Sequence, residues 1–140
     1  MLLLDDDRIC NLIRHAWQES QPGTNGAHEE GGFVVRDTDG SLRVERWPTG
    51  AQNEILVPPH PAGKRDHRVI VLTFHTHPNP GVEFQQEPSL TDIRAVCNDP
   101  HLAHPEYEGE IVIAAESIYL IRRTGEVEVI GDTNAVLKIP

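Results

Sequence analysis

The stretch His75–Asp92 reads HTHPNPGVEFQQEPSLTD, and it follows a run of strand-forming residues, Val69-Ile-Val-Leu-Thr-Phe74. Such a run without polar alternation predicts a strand buried on both faces. Side chains alternate along a strand, so His75 and His77 point the same way. Two neighbouring imidazoles on a rigid element suit a first-row metal, because zinc accepts neutral histidine nitrogens. Pro78 ends the strand, since it has no amide hydrogen for the ladder. Pro88-Ser-Leu-Thr-Asp92 then predicts a helix start, with Ser89 as N-cap and Asp92 three residues on. A carboxylate in that first turn completes a His-His-Asp donor set and leaves one tetrahedral position open for water, the mark of a catalytic zinc site. Taken singly, Ser-x-x-Asp is an ordinary capping box and His-x-His a weak signal. Joined by one short loop, they point to a metal centre.

Upstream, Asp5 to about Glu19 carries Ile9, Leu12, Ile13, Ala16 and Trp17 at helical spacing, with the aspartates placed favourably at the helix N-terminus. Gln21–Gly26 is a loop of turn formers. Phe33–Val35 begins a strand, and Asp37-Thr-Asp-Gly40 turns it into Ser41–Trp47. Glu29 and Glu30 enter that strand beside Gly31 and Gly32, where backbone or ligand can approach closely. An acidic residue there suits a general base, although a solvated strand-end glutamate has the same sequence. Trp47 either lines a groove or covers the core. The segment 48–68 is irregular, and His60 and His67 within it are expected to be solvated.

Downstream, Ser89 to about Asn98 predicts a short helix, and Asp99–Glu108 a proline-containing connection whose His101 and His104 lie at the surface. Glu110–Ala115, Ser117–Arg123 and Glu126–Ile130 predict three strands, the last alternating as a half-exposed hairpin strand. The tail is expected to pack along an edge. The order is a helix, a curved sheet, a short helix and more sheet, which makes the fold class α+β.

The composition narrows the function. At 140 residues the chain forms one core, and a single domain over 1–140 is expected. With 22 acidic against 12 basic residues, a net charge of −10 argues against a nucleic-acid partner. No run is long enough for a membrane span, and the acidic residues after Met-Leu-Leu-Leu are unlike a signal peptide. Cys10 and Cys97 are far apart with no CxxC, so a reduced, cytoplasmic protein with both thiols in the core is expected.

Glu29-x-x-Gly32-Phe33, His75-Thr-His77-Pro78 and Pro88-Ser89-x-x-Asp92 together resemble the signature of the JAMM (MPN+, JAB) metalloproteases, in the manner of the short stand-alone bacterial JAB-type proteins. The resemblance spans roughly residues 29 to 92. It implies a JAB/MPN-like, cytidine-deaminase-like layering of a curved mixed sheet flanked by helices. It also implies one zinc ion (Zn2+) per chain, held by His75, His77 and Asp92, with Glu29 as general base and Ser89 as donor to the oxyanion. The implied substrate is a peptide or isopeptide amide, including one at the C-terminus of a ubiquitin-like protein.

Three departures bear on substrate recognition. Eleven residues separate His77 from Ser89, more than the family pattern, so Val82–Glu87 is expected to form a lid or narrow the cleft. Glu30 competes with Glu29 as base, although the Glu-x-x-Gly register favours Glu29. The 51–68 segment is too proline-rich for the helix many relatives place before His-x-His. Rival readings are a catalytically silent MPN-type scaffold, a cupin using Glu83 as third ligand, and an acidic protein-binding module.

Overall fold

The computed structural model describes residues 2–80 and 86–140. Helix α1 spans Asp7–Glu19, preceded by a 3-10 turn at Leu3–Asp5. It starts one residue beyond Asp6 because that side chain accepts the Arg8 and Ile9 amides. Its buried residues, Ile9, Cys10, Ile13, Ala16 and Trp17, fall on one stripe.

The strands are β1 (Gly31–Arg36), β2 (Leu42–Arg46), β3 (Lys64–Arg65), β4 (Arg68–His77), β5 (Glu110–Ala114), β6 (Ser117–Ile121) and β7 (Val127–Asp132). Helix α2 spans Leu90–Cys97 and α3 spans Thr133–Val136. The sheet runs β2-β1-β4-β5-β6-β7, with β3 paired to β4. Among the described residues only the β4–β5 pair is parallel, so the sheet is mixed, and α2 belongs to the crossover that this pair needs. It is open, ending in edge strands β2 and β7, rather than curled round. The α+β class expected from the sequence holds. A cupin would need a double-sheet jelly roll, and this single mixed sheet is not one.

Two apolar layers cover the sheet. On one face α1 packs against Val34, Leu72, Phe74, Ile111, Ile113, Ile118 and Leu120. On the other, Trp47, Val96, Leu102 and Tyr107 pack against Phe33, Val35, Ile70, Val112 and Ile121. Val34 pairs with Leu72 and Val35 with Ile70, so Val71 is an extra residue and the alternation of β4 shifts there. Beyond the shift Thr73, His75 and His77 share the α2 face.

Three expectations need correcting. Val127 and Val129 are exposed rather than packed inward. They pair with Ile121 and Tyr119, on the last strand that the α2-side layer covers. The tail is not a strip along an edge: Asp132 caps α3 through the Ala135 amide, and Leu137 is fully buried in the α1 layer. Four helical residues are too few to show a period. Cys10 is in the core, but Cys97 is only half-buried. Among the described residues no helix is long and apolar enough to cross a membrane.

Candidate metal centre

The β4 strand ends at His77, and the next helix, α2, begins at Leu90 on the same face. The parallel β4–β5 pairing therefore puts the site outside the carboxyl end of a strand and at a helix start, where open sheets commonly bind ligands. Burial of His75 and His77 in a fully covered strand fixes their rings, whose centroids lie 5.0 Å apart. Their Nε2 atoms approach to 3.2 Å.

Ser89 and Asp92 form the complete capping box. Asp92 N–H donates to Ser89 Oγ at 3.1 Å, and Ser89 N–H donates to Asp92 Oδ2 at 2.8 Å. The box also aims the carboxylate at the histidines: Oδ1 lies 3.4 Å from His75 Nε2 and Oδ2 lies 3.4 Å from His77 Nε2. The capping and ligand readings of Ser-x-x-Asp are thus both satisfied by one conformation.

His75, His77 and Asp92 each offer a ligand atom within 4.8 Å of the others, and this group can hold a metal ion. The Nε2–Nε2 separation of 3.2 Å compares with about 3.3 Å between neighbouring donors around a tetrahedral ion with bonds of about 2.0–2.1 Å, and each Nε2 faces its own Asp92 oxygen at 3.4 Å. The outer nitrogens are already engaged. His75 Nδ1 lies 3.0 Å from Glu110 Oε2, and His77 Nδ1 lies 3.0 Å from the Gln86 carbonyl. Partners of this kind hold the hydrogen on Nδ1 and turn the Nε2 lone pair inward. The donor set fits a metal.

Electrostatics favour positive charge here. Burial opposes a charge on His75, yet Glu110 and Asp92 outweigh it and raise its pKa well above the usual value. Burial likewise opposes ionisation of Asp92, but its bonds to His75 and His77 hold the carboxyl far below the normal range. A divalent ion held by His75, His77 and Asp92 would answer the same two carboxylates that otherwise favour a proton.

Glu29 reaches the cleft through the β1–β4 register. Gly31 pairs with His75, and Thr76 N–H donates to the Glu30 carbonyl, so Glu29 comes in at the His77 end of β4. Its side chain is buried, lines the cleft with His75, His77, Ser89 and Asp92, and hydrogen-bonds no other described residue. Burial pushes its carboxyl up to about 7, against the pull of His75 and His77. Glu30 is engaged elsewhere, by Arg46 at 2.6 Å, His28 at 2.8 Å and Thr49 at 3.1 Å. The neighbouring glycines serve packing, not a ligand. A Cβ on Gly31 would meet the Trp47 ring at 2.5 Å, and one on Gly32 would meet Phe74.

Around these residues lies an open cleft of about 560 Å³, a size ordinary for ligand sites. Both sequence readings of Trp47 apply: it is 3% exposed, edge-on to Phe33, and forms a wall of the cleft. His60 is paired with Asp99 and His67 with Asp37, His101 is exposed, and His104 is half-buried; none joins the metal group. Of the expected lid Val82–Glu87, residues 82–85 lie outside the described residues, as does the cupin candidate Glu83. Gln86, on its far side, holds His77. Sequence reasoning passed over Glu110, which looked like an ordinary strand start. The available signal was an acidic residue opening an otherwise apolar central strand.

No protein-family model matches the chain, and no curated protein or solved structure matches it significantly.

Proposed function

We propose that the chain is a zinc-dependent metallopeptidase of the JAMM type, hydrolysing peptide or isopeptide amides, including those at ubiquitin-like C-termini. The observation that carries this is the juxtaposition in one cleft of the His75-His77-Asp92 donor set with the Glu29 carboxylate, which hydrogen-bonds no other described residue. The order of elements, with β4, α2 and β5 framing the cleft, is compatible with JAB/MPN layering. Zinc is favoured over harder ions because two of three donors are imidazoles, and three protein ligands leave a position for water or substrate.

Bound zinc would act as a Lewis acid on the amide carbonyl and lower the pKa of water towards about 7. The chain's own groups do the rest. Glu29, a buried carboxylate facing the donor set, would take a proton from the attacking water and return it to the departing amine. Ser89 Oγ accepts the Asp92 amide, which leaves its own O–H to donate to the oxyanion that develops on the carbonyl. Glu110 and the Gln86 carbonyl keep both imidazoles oriented.

The test is hydrolysis of a fluorogenic peptide library and of ubiquitin-like conjugates by zinc-loaded protein. Turnover should vanish with chelator, return with zinc, and fall by about 10²–10⁴ in Glu29→Gln with zinc retained. Loaded protein that cleaves nothing would instead be a silent scaffold.

A further inference from the structure

A second cavity, of about 400 Å³, adjoins the metal cleft on the α2 side. The two share Trp47, Val57, Ala95 and Glu110 as walls. Glu110 lines it and also touches His75 Nδ1 at 3.0 Å, so the cavity opens one side chain away from a metal ligand. Buried Val96 and Leu102, with Pro100, supply carbon surface.

Apart from the Trp47 Nε1–H, the polar groups facing this cavity are mostly spent. Thr73 Oγ1 is bonded to the Tyr107 hydroxyl at 2.6 Å, His60 is paired with Asp99, and Glu110 is held by His75. Arg94 and Asn98 are exposed residues on α2 and its C-cap. A charged or amide side chain inside would find few partners and lose its hydration, whereas an apolar one loses nothing. An open apolar cavity is also a poor place for ordered water.

We propose that this cavity is a specificity pocket for a large apolar side chain, of the leucine or phenylalanine kind, belonging to the polypeptide whose amide lies at the metal centre. The inference rests on the peptidase reading above and adds the substrate class. Continuity with the cleft is what selects a substrate side chain as occupant, since a segment lying across His75 and Glu29 has one wall, Trp47–Ala95–Glu110, in common with the cavity.

Trp47 provides a readout that does not need turnover. Its Nε1–H is buried with no hydrogen-bond partner among the described residues, while Trp17 lies in the α1 layer on the opposite face of the sheet. The indole resonances are followed by NMR while N-acetyl-leucinamide, N-acetyl-phenylalaninamide or N-acetyl-glycinamide is added to metal-free and zinc-loaded protein. The two apolar amides should shift Trp47 and leave Trp17 unmoved, binding at least about tenfold more tightly than the glycine compound. Ala95→Trp, on an exposed position of α2, should abolish the shift. Equal responses to all three amides, or none at Trp47, would overturn the pocket.

The same preference is read in cleavage of the peptide library. Hydrolysis indifferent to side-chain size would overturn the pocket and leave the hydrolase reading intact. Selective Trp47 shifts without cleavage of any peptide would keep the pocket and remove the hydrolase reading.

Discussion

Replacing Asp92 with asparagine separates two roles that one side chain performs. Oδ2 accepts the Ser89 amide at 2.8 Å, and the carboxylate faces both Nε2 atoms at 3.4 Å. Asparagine keeps a carbonyl oxygen for the cap but loses the charge. The metal-free variant should fold, at a cost of about 0.3–1 kcal/mol for the lost anion at the helix N-terminus, plus the loss of a partner for buried His75. Zinc held at a hundred times the wild-type Kd stabilises wild type by about 2.7 kcal/mol. At roughly 2–4 °C per kcal/mol for a chain of this size, that raises Tm by about 5–11 °C. Loss of a ligand should weaken zinc by at least the roughly 100-fold at the upper end for outer partners. The same free zinc then stands near the variant's Kd and gives only about 0.4 kcal/mol, a rise of about 1–2 °C. The assay is thermal unfolding with and without buffered zinc, beside elemental analysis of dialysed protein. A wild-type zinc-induced shift in Asp92→Asn would reduce Asp92 to a helix cap and remove the three-ligand site.

Two further outcomes are expected. Glu110→Gln should weaken zinc about 10–100-fold by titration calorimetry, through lost orientation of His75, and unchanged affinity would strip Glu110 of that role. Glu29 in the folded, metal-free protein holds its proton up to about pH 7, against 4.5 for the ordinary group, so folding binds protons and its contribution to stability declines as pH rises from about 4.5 to 7. Glu29→Gln escapes that decline. With chelator present it should match wild type near pH 4 and exceed it at pH 8 by on the order of 1–2 kcal/mol, allowing for partial solvent access. A stability difference that does not vary with pH would show that Glu29 is not held in a dry environment.

Local chemistry was legible in the sequence wherever the deciding contacts are close along the chain. The apolar run before His75 dictates a central strand, alternation puts His75 and His77 on one face, Pro78 stops the ladder, and Ser89 with Asp92 starts a helix. The stripe of α1 follows from residue spacing in the same way, whereas α3 is too short to carry a period and is defined by Leu137 entering the core. Exposure of Val127 and Val129 was not legible, because it depends on where the layer over Tyr119 and Ile121 ends.

The choice between Glu29 and Glu30 shows the division most clearly. Their sequence environments are nearly the same, and only the pairing of Gly31 with His75 turns one carboxylate into the cleft and the other towards Arg46 and His28. Glu110 reaches His75 because β5 lies parallel to β4, a partnership between residues 35 positions apart in the chain. The cavity beside Trp47 likewise has walls from five separate stretches of chain. Sequence by itself determined which donor atoms exist and which way each local element presents them. Tertiary structure decided which of them meet and what solvent they keep, because burial and long-range strand pairing are properties of the assembled sheet.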